Sequence, residues 1–302
     1  MRHYLISGLR VCSEIVLPGA IPQNAESECD VVVRRGFIAP EILGTNSSRT
    51  YHVAESVFFY EVPDLARFRV SHGREILVDV VDEPKESEAA LFVLTVFGAL
   101  LYQRNYLALH GSAVAINGNA VIFCGPSGAG KSTLAASLVN EGYEFLSDDL
   151  CRVDFDSGGR PVLFPDGRTL KLWEDSLDHL QLAHSKGAAL RSNLAKFFVS
   201  PGRLNAMVTL PLGAVYILGD STSAIGMNIT DADSIRSLAL LRQNAYHPEL
   251  LAQMGLEANF FQNALRMLRY LKVFSIDRPR AFSEIRQDVG ILEAHWVEIG
   301  LT

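Results

Sequence analysis

The segment Gly125–Ser132, read Gly-Pro-Ser-Gly-Ala-Gly-Lys-Ser, constrains this chain more than any other, because it matches G-x-x-x-x-G-K-[ST] at every fixed position. Such a phosphate loop, or P-loop, turns backbone N–H groups towards phosphates, while its lysine reaches the terminal phosphates and its hydroxyl ligates Mg²⁺. The apolar run 120–124 predicts the strand that must precede the loop. The run 131–141, ended by Gly142, predicts the helix that must follow it. We therefore expect an α/β protein that binds a nucleoside triphosphate.

The residues expected to contact the nucleotide belong to this loop and to the first turn of the helix. They are Gly125, Ser127, Gly128, Ala129, Gly130, Lys131, Ser132 and Thr133. The expected cofactors are ATP and Mg²⁺, although nothing in the loop distinguishes ATP from GTP.

The composition fits a globular protein, since 48% of the 302 residues are hydrophobic and 20% are charged. A formal net charge of −7 argues against nucleic acid or an anionic membrane as a partner. The apolar run 89–102 is shorter than the roughly 20 residues of a membrane-spanning helix, and the N-terminus lacks the apolar core of a signal peptide.

The four cysteines have no spacing typical of a zinc or haem site. Cys124 and Cys151 lie in apolar runs and are expected to be small core residues. The remaining two, Cys12 and Cys29, suggest no disulfide, so the reducing cytoplasm is the expected compartment.

The chain divides by composition into a β-rich N-terminal domain, residues 1–86, and a catalytic domain, residues 87–302. Short β-type runs at 30–33, 56–62 and 75–81 characterise the first domain, and the polar stretch 82–87 separates it from a buried helix at 88–104. The other predicted elements follow the phosphate loop. They are a hairpin of 150–155 with 161–164, a surface loop or short helix within 180–206, a strand at 212–218, and helices at 231–244, 248–272 and 281–297.

Asn117-Gly118 predicts a hairpin that leads into the phosphate loop, because this dipeptide favours a two-residue β-turn. Such a turn pairs Ile116 with Asn119, so the numbers of facing residues add up to 235. On that register His110 faces Gly125, the first residue of the loop. The alternative for His110 is a hydrogen-bonded histidine of the core.

Asp148 and Asp149 are predicted to reach the nucleotide by a length argument. The helix 131–141 rises about 16 Å, and the run 143–147 returns about 16 Å as a strand parallel to 120–124. Its carboxyl end then lies at the edge of the sheet where such folds bind ligands. Two adjacent carboxylates face opposite sides of a strand, so we expect one to hold Mg²⁺ and the other to accept the proton of an attacking hydroxyl or to orient a water.

Other polar residues carry weaker signals. Lys171, Arg191, Lys196 and Arg203 either clamp phosphate or substrate or form a solvated basic face. The histidines without a predicted place near the loop are taken as surface or packing residues: His179, His184, His247 and His295.

Leu109-His110-Gly111-Ser112, the hairpin, the phosphate loop and Leu146-Ser147-Asp148-Asp149, in this order, resemble the catalytic domain of HPr kinase/phosphorylases. The resemblance covers residues 106–154. It implies a P-loop core of the HPr kinase/phosphoenolpyruvate carboxykinase type and phosphorylation of a protein serine. It further implies Lys131 on the phosphates, Ser132 on Mg²⁺, Asp148 as base, His110 as its neighbour and Asp149 as a metal or water ligand, with the order within the aspartate pair left open.

The chain departs from that family in lacking a downstream Arg-Gly-x-Gly signature, and its start, residues 4–9, is more similar to HPr-kinase-like proteins of peptide maturation, including lasso-peptide precursor kinases. The resemblance thus implies an ATP- and Mg²⁺-dependent kinase of a serine or threonine hydroxyl on a peptide or small protein, and a homo-oligomer.

Two alternatives remain open. The loop and the residues after it also resemble guanylate kinases, which favours a small-molecule or nucleotide kinase, and a nucleotide-dependent regulatory module without transferase activity retains the same motifs.

Overall fold

The computed structural model describes residues 1–24, 28–39, 51–54, 57–191, 194–200, 208–219, 226–279 and 281–301. Arg203 lies outside these residues, as do the side chains of His184 and Arg191. The described chain is a mixed α/β fold with one sheet before the phosphate loop and two sheets around it.

The first sheet has the strand order β1-β2-β3-β7-β6-β5-β4. Its strands are β1 (Arg2–Ile6), β2 (Leu9–Ser13), β3 (Val31–Arg35), β4 (Tyr51–Ala54), β5 (Val57–Val62), β6 (Ala66–Ser71) and β7 (Glu75–Val80). Alternate residues of β6, namely Ala66, Phe68 and Val70, are fully buried, because the sheet packs on helix α1 (Glu86–Gln103). The strands and the helix predicted here are confirmed.

The second sheet carries the phosphate loop. Its strands are β8 (Leu107–Leu109), β9 (Gly111–Ile116), β10 (Asn119–Cys124), β11 (Glu144–Asp148), β12 (Cys151–Phe155), β13 (Pro161–Phe164), β17 (Leu210–Leu218), β18 (Asn228–Asp231) and β19 (Lys272–Asp277). The order is β11-β9-β10-β17-β13-β12-β8, with β19 pairing with both β17 and β18. A third sheet, β14-β16-β15, consists of β14 (Leu170–Trp173), β15 (Lys186–Arg191) and β16 (Leu194–Val199).

The remaining helices are α2 (Lys131–Asn140), α3 (Glu174–His179), α4 (Ser234–Gln243), α5 (Pro248–Gln253), α6 (Glu257–Met267) and α7 (Ile285–Glu298). Helix α2 confirms the helix predicted after the phosphate loop. It packs between β9 and α7, with Leu134 and Leu138 fully buried. No described helix has both the length and the apolar character needed to cross a bilayer.

The hairpin register is confirmed, since Ile116 pairs with Asn119 and Gly111 pairs with Cys124. Both turn residues have positive φ, 46° at Asn117 and 78° at Gly118, as a two-residue hairpin turn requires. The strand breaks at His110, however, because β8 leaves the hairpin to pair with β12. His110 therefore lies at a gap between two strands rather than inside one.

Strand β11 runs parallel to β10 as predicted, but β9 lies between them and is antiparallel to both. The carboxyl ends of β10 and β11 consequently meet at one edge. This places Asp148 directly opposite Ser112 of β9.

Two predictions of secondary structure are wrong. The segment 180–206 is not only a surface loop or short helix, because its described residues include β15 and β16. Strand β15 pairs with β16, and β16 pairs with β14 and carries the buried Val199. The helix expected over 248–272 is divided at Gly255 into α5 and α6, and β19 begins at Lys272.

The prediction of four free cysteines is wrong for two of them, because Cys12 and Cys29 form a disulfide with their Cα atoms 5.8 Å apart. Their separation of 17 residues gave no signal, whereas the parallel pairing of β2 with β3 brings them together. Cys124 and Cys151 are free and fully buried, as expected.

The first sheet contacts the second through the segment that leads into β14. Ser7 donates its N–H to the carbonyl of Asp166 over 3.2 Å, and Ile21 donates to the carbonyl of Gly167 over 3.0 Å. A hydrophobic core continues from Ile6 of β1 to Val215 of β17. The division into domains at residue 86 stays a prediction.

Candidate active site

The phosphate loop connects β10 to α2 in the geometry that its motif demands. Gly130, the residue before α2, has a φ of 88°, and a Cβ atom there would lie 2.6 Å from the Nη2 atom of Arg278. The first N–H groups of α2 have no partners within the helix, and the positive end of the helix dipole lies at the same point. The loop is thus built to receive an anion.

Lys131 is the first residue of α2 and is 7% exposed. Its Nζ atom donates to the carbonyls of Gly125 and Pro126 over 2.9 and 3.0 Å. Burial lowers the pKa of this ammonium, although the nearby Asp148 and Asp149 oppose the shift. A phosphate group would supply the counter-charge that the buried lysine favours.

Asp148 is held behind the loop by three hydrogen bonds. Its Oδ1 atom accepts from the hydroxyls of Ser132 and Ser112, each at 2.7 Å, and its Oδ2 atom accepts from the N–H of Lys171 at 3.1 Å. The side chain is buried at 2% exposure. Asp148 is therefore hydrogen-bonded to Ser132, whose hydroxyl is the group that the motif assigns to Mg²⁺.

Asp149 lies in front of Asp148 and lines the cavity above the loop. Its φ is 74°, a left-handed conformation uncommon for residues other than glycine. Its carboxylate forms an ion pair with the ammonium of Lys171. Burial raises the pKa of this carboxyl, but the charges of Lys171 and Lys196 outweigh burial, so the net pKa is far below its usual value. Asp149 is an ionised carboxylate at the cavity wall.

His110 also lines this cavity, and its Nδ1 atom lies 3.0 Å from the carbonyl oxygen of Asp149. A carbonyl only accepts, so Nδ1 carries the proton and Nε2 carries the lone pair of the neutral ring. Burial, followed by the charge of Lys131, lowers the pKa of His110 below 6.5. The imidazole is neutral at neutral pH and fixes the backbone of Asp149.

The cavity has a volume of about 460 Å³, within the roughly 300–1,000 Å³ of small-ligand sites. Its lining includes His110 and Asp149. It also includes two aromatic residues, Trp173, 47% exposed, and Phe282, whose ring is stacked on that of His179 at 4.1 Å. The cavity therefore combines charged and aromatic side chains with the phosphate loop.

Arg278 lies beside the loop and is fixed from α7. Its Nη1 atom donates to the carboxylate of Asp288 at 2.7 Å, and its Nη2 atom is 3.5 Å from the carbonyl of Ala129. Both side chains are buried, so the arginine reaches the loop with little freedom. Together with Lys131, Lys171 and Lys196 it gives the cavity a cationic wall.

The structure brings most of the predicted site residues together. Loop residues 127–133, His110 and Asp149 line one cavity, and Asp148 lies behind it. Gly125 instead accepts from Lys131 at the base of the loop, and the Thr133 hydroxyl lies 3.0 Å from that of Ser176. Of the four basic residues singled out, Lys171 and Lys196 reach the cavity.

Sequence reasoning missed Ser112, Arg278, Trp173 and Phe282. Ser112 was within reach, because the hairpin register and the position of β11 beside β9 place it opposite Asp148. The aromatic pair and Arg278 come from segments far along the chain, and no local pattern relates them to the loop.

The donor set fits the cofactors that the motif implies. Mg²⁺ prefers oxygen ligands, often one or two protein groups together with substrate phosphates. The Ser132 hydroxyl and the Asp148 carboxylate, already 2.7 Å apart, provide such oxygens beside the loop amides. A magnesium ion held there neutralises phosphate charge.

Comparison with known proteins finds two similarities. The family model described as "AAA domain" matches residues 121–190, which include most of β10, the phosphate loop, α2 and both aspartates. No curated protein matches the chain. Among solved structures, the HPr(Ser) kinase/phosphatase from Coxiella burnetii is similar at a TM-score of 0.35 and 9% identity, covering 64% of this chain and 98% of that one.

The family model matches the predicted phosphate loop, and neither comparison bears on lasso-peptide kinases. The site is that of a P-loop nucleotide-binding domain within a mixed α/β fold.

Proposed function

We propose that this protein is an ATP- and Mg²⁺-dependent kinase that phosphorylates a serine or threonine hydroxyl on a peptide or small protein. One observation carries the proposal: a buried carboxylate, Asp148, and an ionised carboxylate at the cavity wall, Asp149, meet at one end of the phosphate loop. Phosphoryl transfer requires a metal-side carboxylate and a group that receives the proton of the nucleophile.

Within this proposal the two aspartates exchange the roles that the resemblance implied. Asp148 has its Oδ1 atom on the Ser132 hydroxyl and only 2% exposure, so it suits the metal side and is inaccessible to an acceptor. Asp149 lines the cavity, so it suits the base. The assignment of Asp148 as base and Asp149 as metal ligand is therefore the less favoured order.

The proposed reaction takes place beside Asp149 at the cavity wall. The acceptor hydroxyl attacks the γ-phosphoryl group, its proton passes to the carboxylate of Asp149, and ADP leaves. Lys131 and Arg278 lie where cations offset the charge of the transferring group. His110 acts as a positioning residue, because its hydrogen bond reaches only the backbone of Asp149.

The aromatic lining residues Trp173 and Phe282 suit the nucleoside. Aromatic rings bind bases by stacking. The expected homo-oligomer remains a proposal from the resemblance. The expected cytoplasmic location remains a proposal too, and the Cys12–Cys29 disulfide removes the cysteine argument on which it was based.

The test is acceptor discovery with γ-labelled ATP and Mg²⁺. Purified protein is offered a lysate of the producing cell, serine- and threonine-containing peptides, free amino acids and nucleotides, with Lys131→Ala as the matched negative control. We expect label on a peptide or protein, stable to acid as a phosphoserine or phosphothreonine ester is, and absent with the variant.

Two outcomes overturn the proposal. Label that moves only to amino acids, sugars or nucleotides identifies a small-molecule kinase. Tight Mg²⁺-ATP binding without transfer to any component of the lysate identifies a regulatory module.

A further inference from the structure

Three side chains with ligand atoms for soft metal ions meet on the first sheet, away from the nucleotide site. His3 and Cys12 face each other directly in the β1–β2 pair, and Cys29 precedes β3, which pairs with the other edge of β2. A ring nitrogen of His3 and the two sulfur atoms all lie within 4.8 Å of one another. Nothing in phosphoryl transfer requires this cluster.

We propose that His3, Cys12 and Cys29 form a binding site for a thiophilic divalent cation of the Zn²⁺ type. The disulfide between the two cysteines is the oxidised, metal-free state of the same site. The proposal is independent of the kinase reaction and concerns a second ligand of this chain.

The donor type and the spacing both fit. Zn²⁺ is bound by cysteine sulfur at about 2.3 Å and by histidine nitrogen at about 2.0–2.1 Å in tetrahedral geometry, which sets a nitrogen–sulfur separation of about 3.6 Å. The Nδ1 atom of His3 lies 3.5 Å from the Cys12 sulfur. In the reduced state the two sulfur atoms need to separate to about 3.8 Å, the corresponding sulfur–sulfur distance.

The site also has room for a fourth ligand. A cavity of about 80 Å³ opens beside His3 and Cys12 and is lined by Gln23 and Glu28. This exceeds the space that a water molecule needs. Either a water or the exposed carboxylate of Glu28, the neighbour of Cys29 in sequence, completes the coordination.

The two states are linked by a balanced reaction. A dithiol reductant donates two electrons to the Cys12–Cys29 bond, giving two thiols and an oxidised reductant. Binding of Zn²⁺ then displaces one proton from each thiol. A disulfide and a dithiolate site exclude each other, so oxidation releases the metal.

The site closes a segment that contacts the catalytic part of the chain. Between the two cysteines, Gly19 accepts from the N–H of Thr169 at 2.9 Å, and Ile21 donates to Gly167 at 3.0 Å. The next strand, β14, starts at Leu170 and carries Lys171, the partner of Asp149. Metal binding and oxidation therefore each link the two ends of the segment between Cys12 and Cys29.

The test measures Zn²⁺ and Co²⁺ binding by the full chain without nucleotide. Protein reduced with a phosphine is titrated with either ion, and the thiolate-to-Co²⁺ charge-transfer band reports sulfur ligands. We expect one ion per chain. We expect no metal binding after oxidation with diamide. The double variant Cys12→Ser/Cys29→Ser should show no charge-transfer band, and His3→Gln should bind the metal at least about tenfold more weakly.

Cys151→Ala is the matched control, because this buried cysteine lies outside the cluster and its loss leaves the site intact. Circular dichroism shows whether each variant folds, and His3→Gln tests the site even where the double cysteine variant does not fold. Reduced wild-type protein that binds no more Zn²⁺ than the double variant overturns the proposal. So does unchanged affinity in His3→Gln, which would leave the imidazole with only a hydrogen bond to sulfur.

Discussion

His110 is the residue on which the local arrangement of the site depends most closely. It lies in the gap between β8 and β9, and its Nδ1–H group donates to the carbonyl of Asp149, a residue with a left-handed backbone. A residue in that conformation persists only when its neighbours hold it. The bond therefore fixes the tautomer of the neutral ring, with the proton on Nδ1, while burial is what favours the neutral form.

Protonation of His110 is predicted to destabilise the folded chain. Burial lowers the folded-state pKa below the usual 6.5, so the unfolded chain binds more protons between the two values. The free energy of unfolding then rises with pH in that window. The contribution of the neutral His110 ring is present above pH 6.5 and is lost as the pH falls through the folded-state pKa. His110→Gln removes this component of the acid sensitivity.

Urea unfolding at several pH values between 5 and 8 checks this prediction. His52→Gln, which removes an exposed histidine of β4, serves as the control and should keep the wild-type slope below pH 6.5. An unchanged slope in His110→Gln would show that His110 does not lose a proton on folding.

At the scale of elements, β14 connects both aspartates. The N–H of Lys171 donates to Asp148, and its ammonium pairs with Asp149. Lys171 thus supports the buried carboxylate of Asp148 through its backbone and the half-buried carboxylate of Asp149 through its side chain. Replacing the side chain separates the two effects.

Lys171→Met is expected to slow transfer while leaving the Mg²⁺ dependence of nucleotide affinity unchanged, because the backbone bond to Asp148 persists. A double-mutant cycle with Asp149→Asn measures the coupling between the two side chains, since Lys171 has no carboxylate to pair with once Asp149 is replaced. We expect the two changes together to cost clearly less than the sum of the single changes. Strict additivity of the two transfer rates would contradict a functional ion pair.

The elements that the sequence predicts correctly are those with local signals. Glycine positions define the phosphate loop, and Asn117-Gly118 sets the register that brings His110 beside it. The strand β16, with Lys196, could not be predicted, because its residues become a strand only by pairing with β14. The disulfide was missed for the same reason, since only the pairing of β2 with β3 brings Cys29 to Cys12.

The roles within the aspartate pair also lay beyond the sequence. Adjacent residues of a strand face opposite sides, which predicts two roles without saying which carboxylate takes which. Burial of Asp148 against Ser132, and the left-handed turn at Asp149, are results of tertiary packing.

At the scale of the whole molecule, the first sheet closely approaches the segment between β13 and β14 at Gly167. A Cβ atom on this residue would lie 1.9 Å from the carbonyl oxygen of Leu5 in β1. The carbonyl group of Leu5 belongs to the backbone of β1, so it cannot make room for a side chain at position 167 unless the strand shifts. The contact therefore fixes the first sheet to the segment that leads into β14.

Gly167→Ala is predicted to destabilise the chain strongly, by at least about 2 kcal/mol more than Gly255→Ala. The control is well matched, because φ is 68° at Gly167 and 67° at Gly255, while a Cβ on Gly255 meets nothing within 4 Å. Left-handed strain of about 1–2 kcal/mol is common to both variants. Urea midpoints measure the difference, and equal midpoints would refute the close approach.

The division of labour between Asp148 and Asp149 is the central claim, and nucleotide affinity measured with Mg²⁺ and with EDTA tests it most directly. The ratio compared is the dissociation constant in EDTA divided by that in Mg²⁺. Taking this ratio cancels the general effect that the loss of a negative charge has on nucleotide affinity. We expect Asp149→Asn to keep the wild-type ratio, because its carboxylate pairs with Lys171 and not with Ser132. We expect Asp148→Asn to reduce the ratio towards one. A normal ratio in Asp148→Asn, with the loss in Asp149→Asn, would contradict the account.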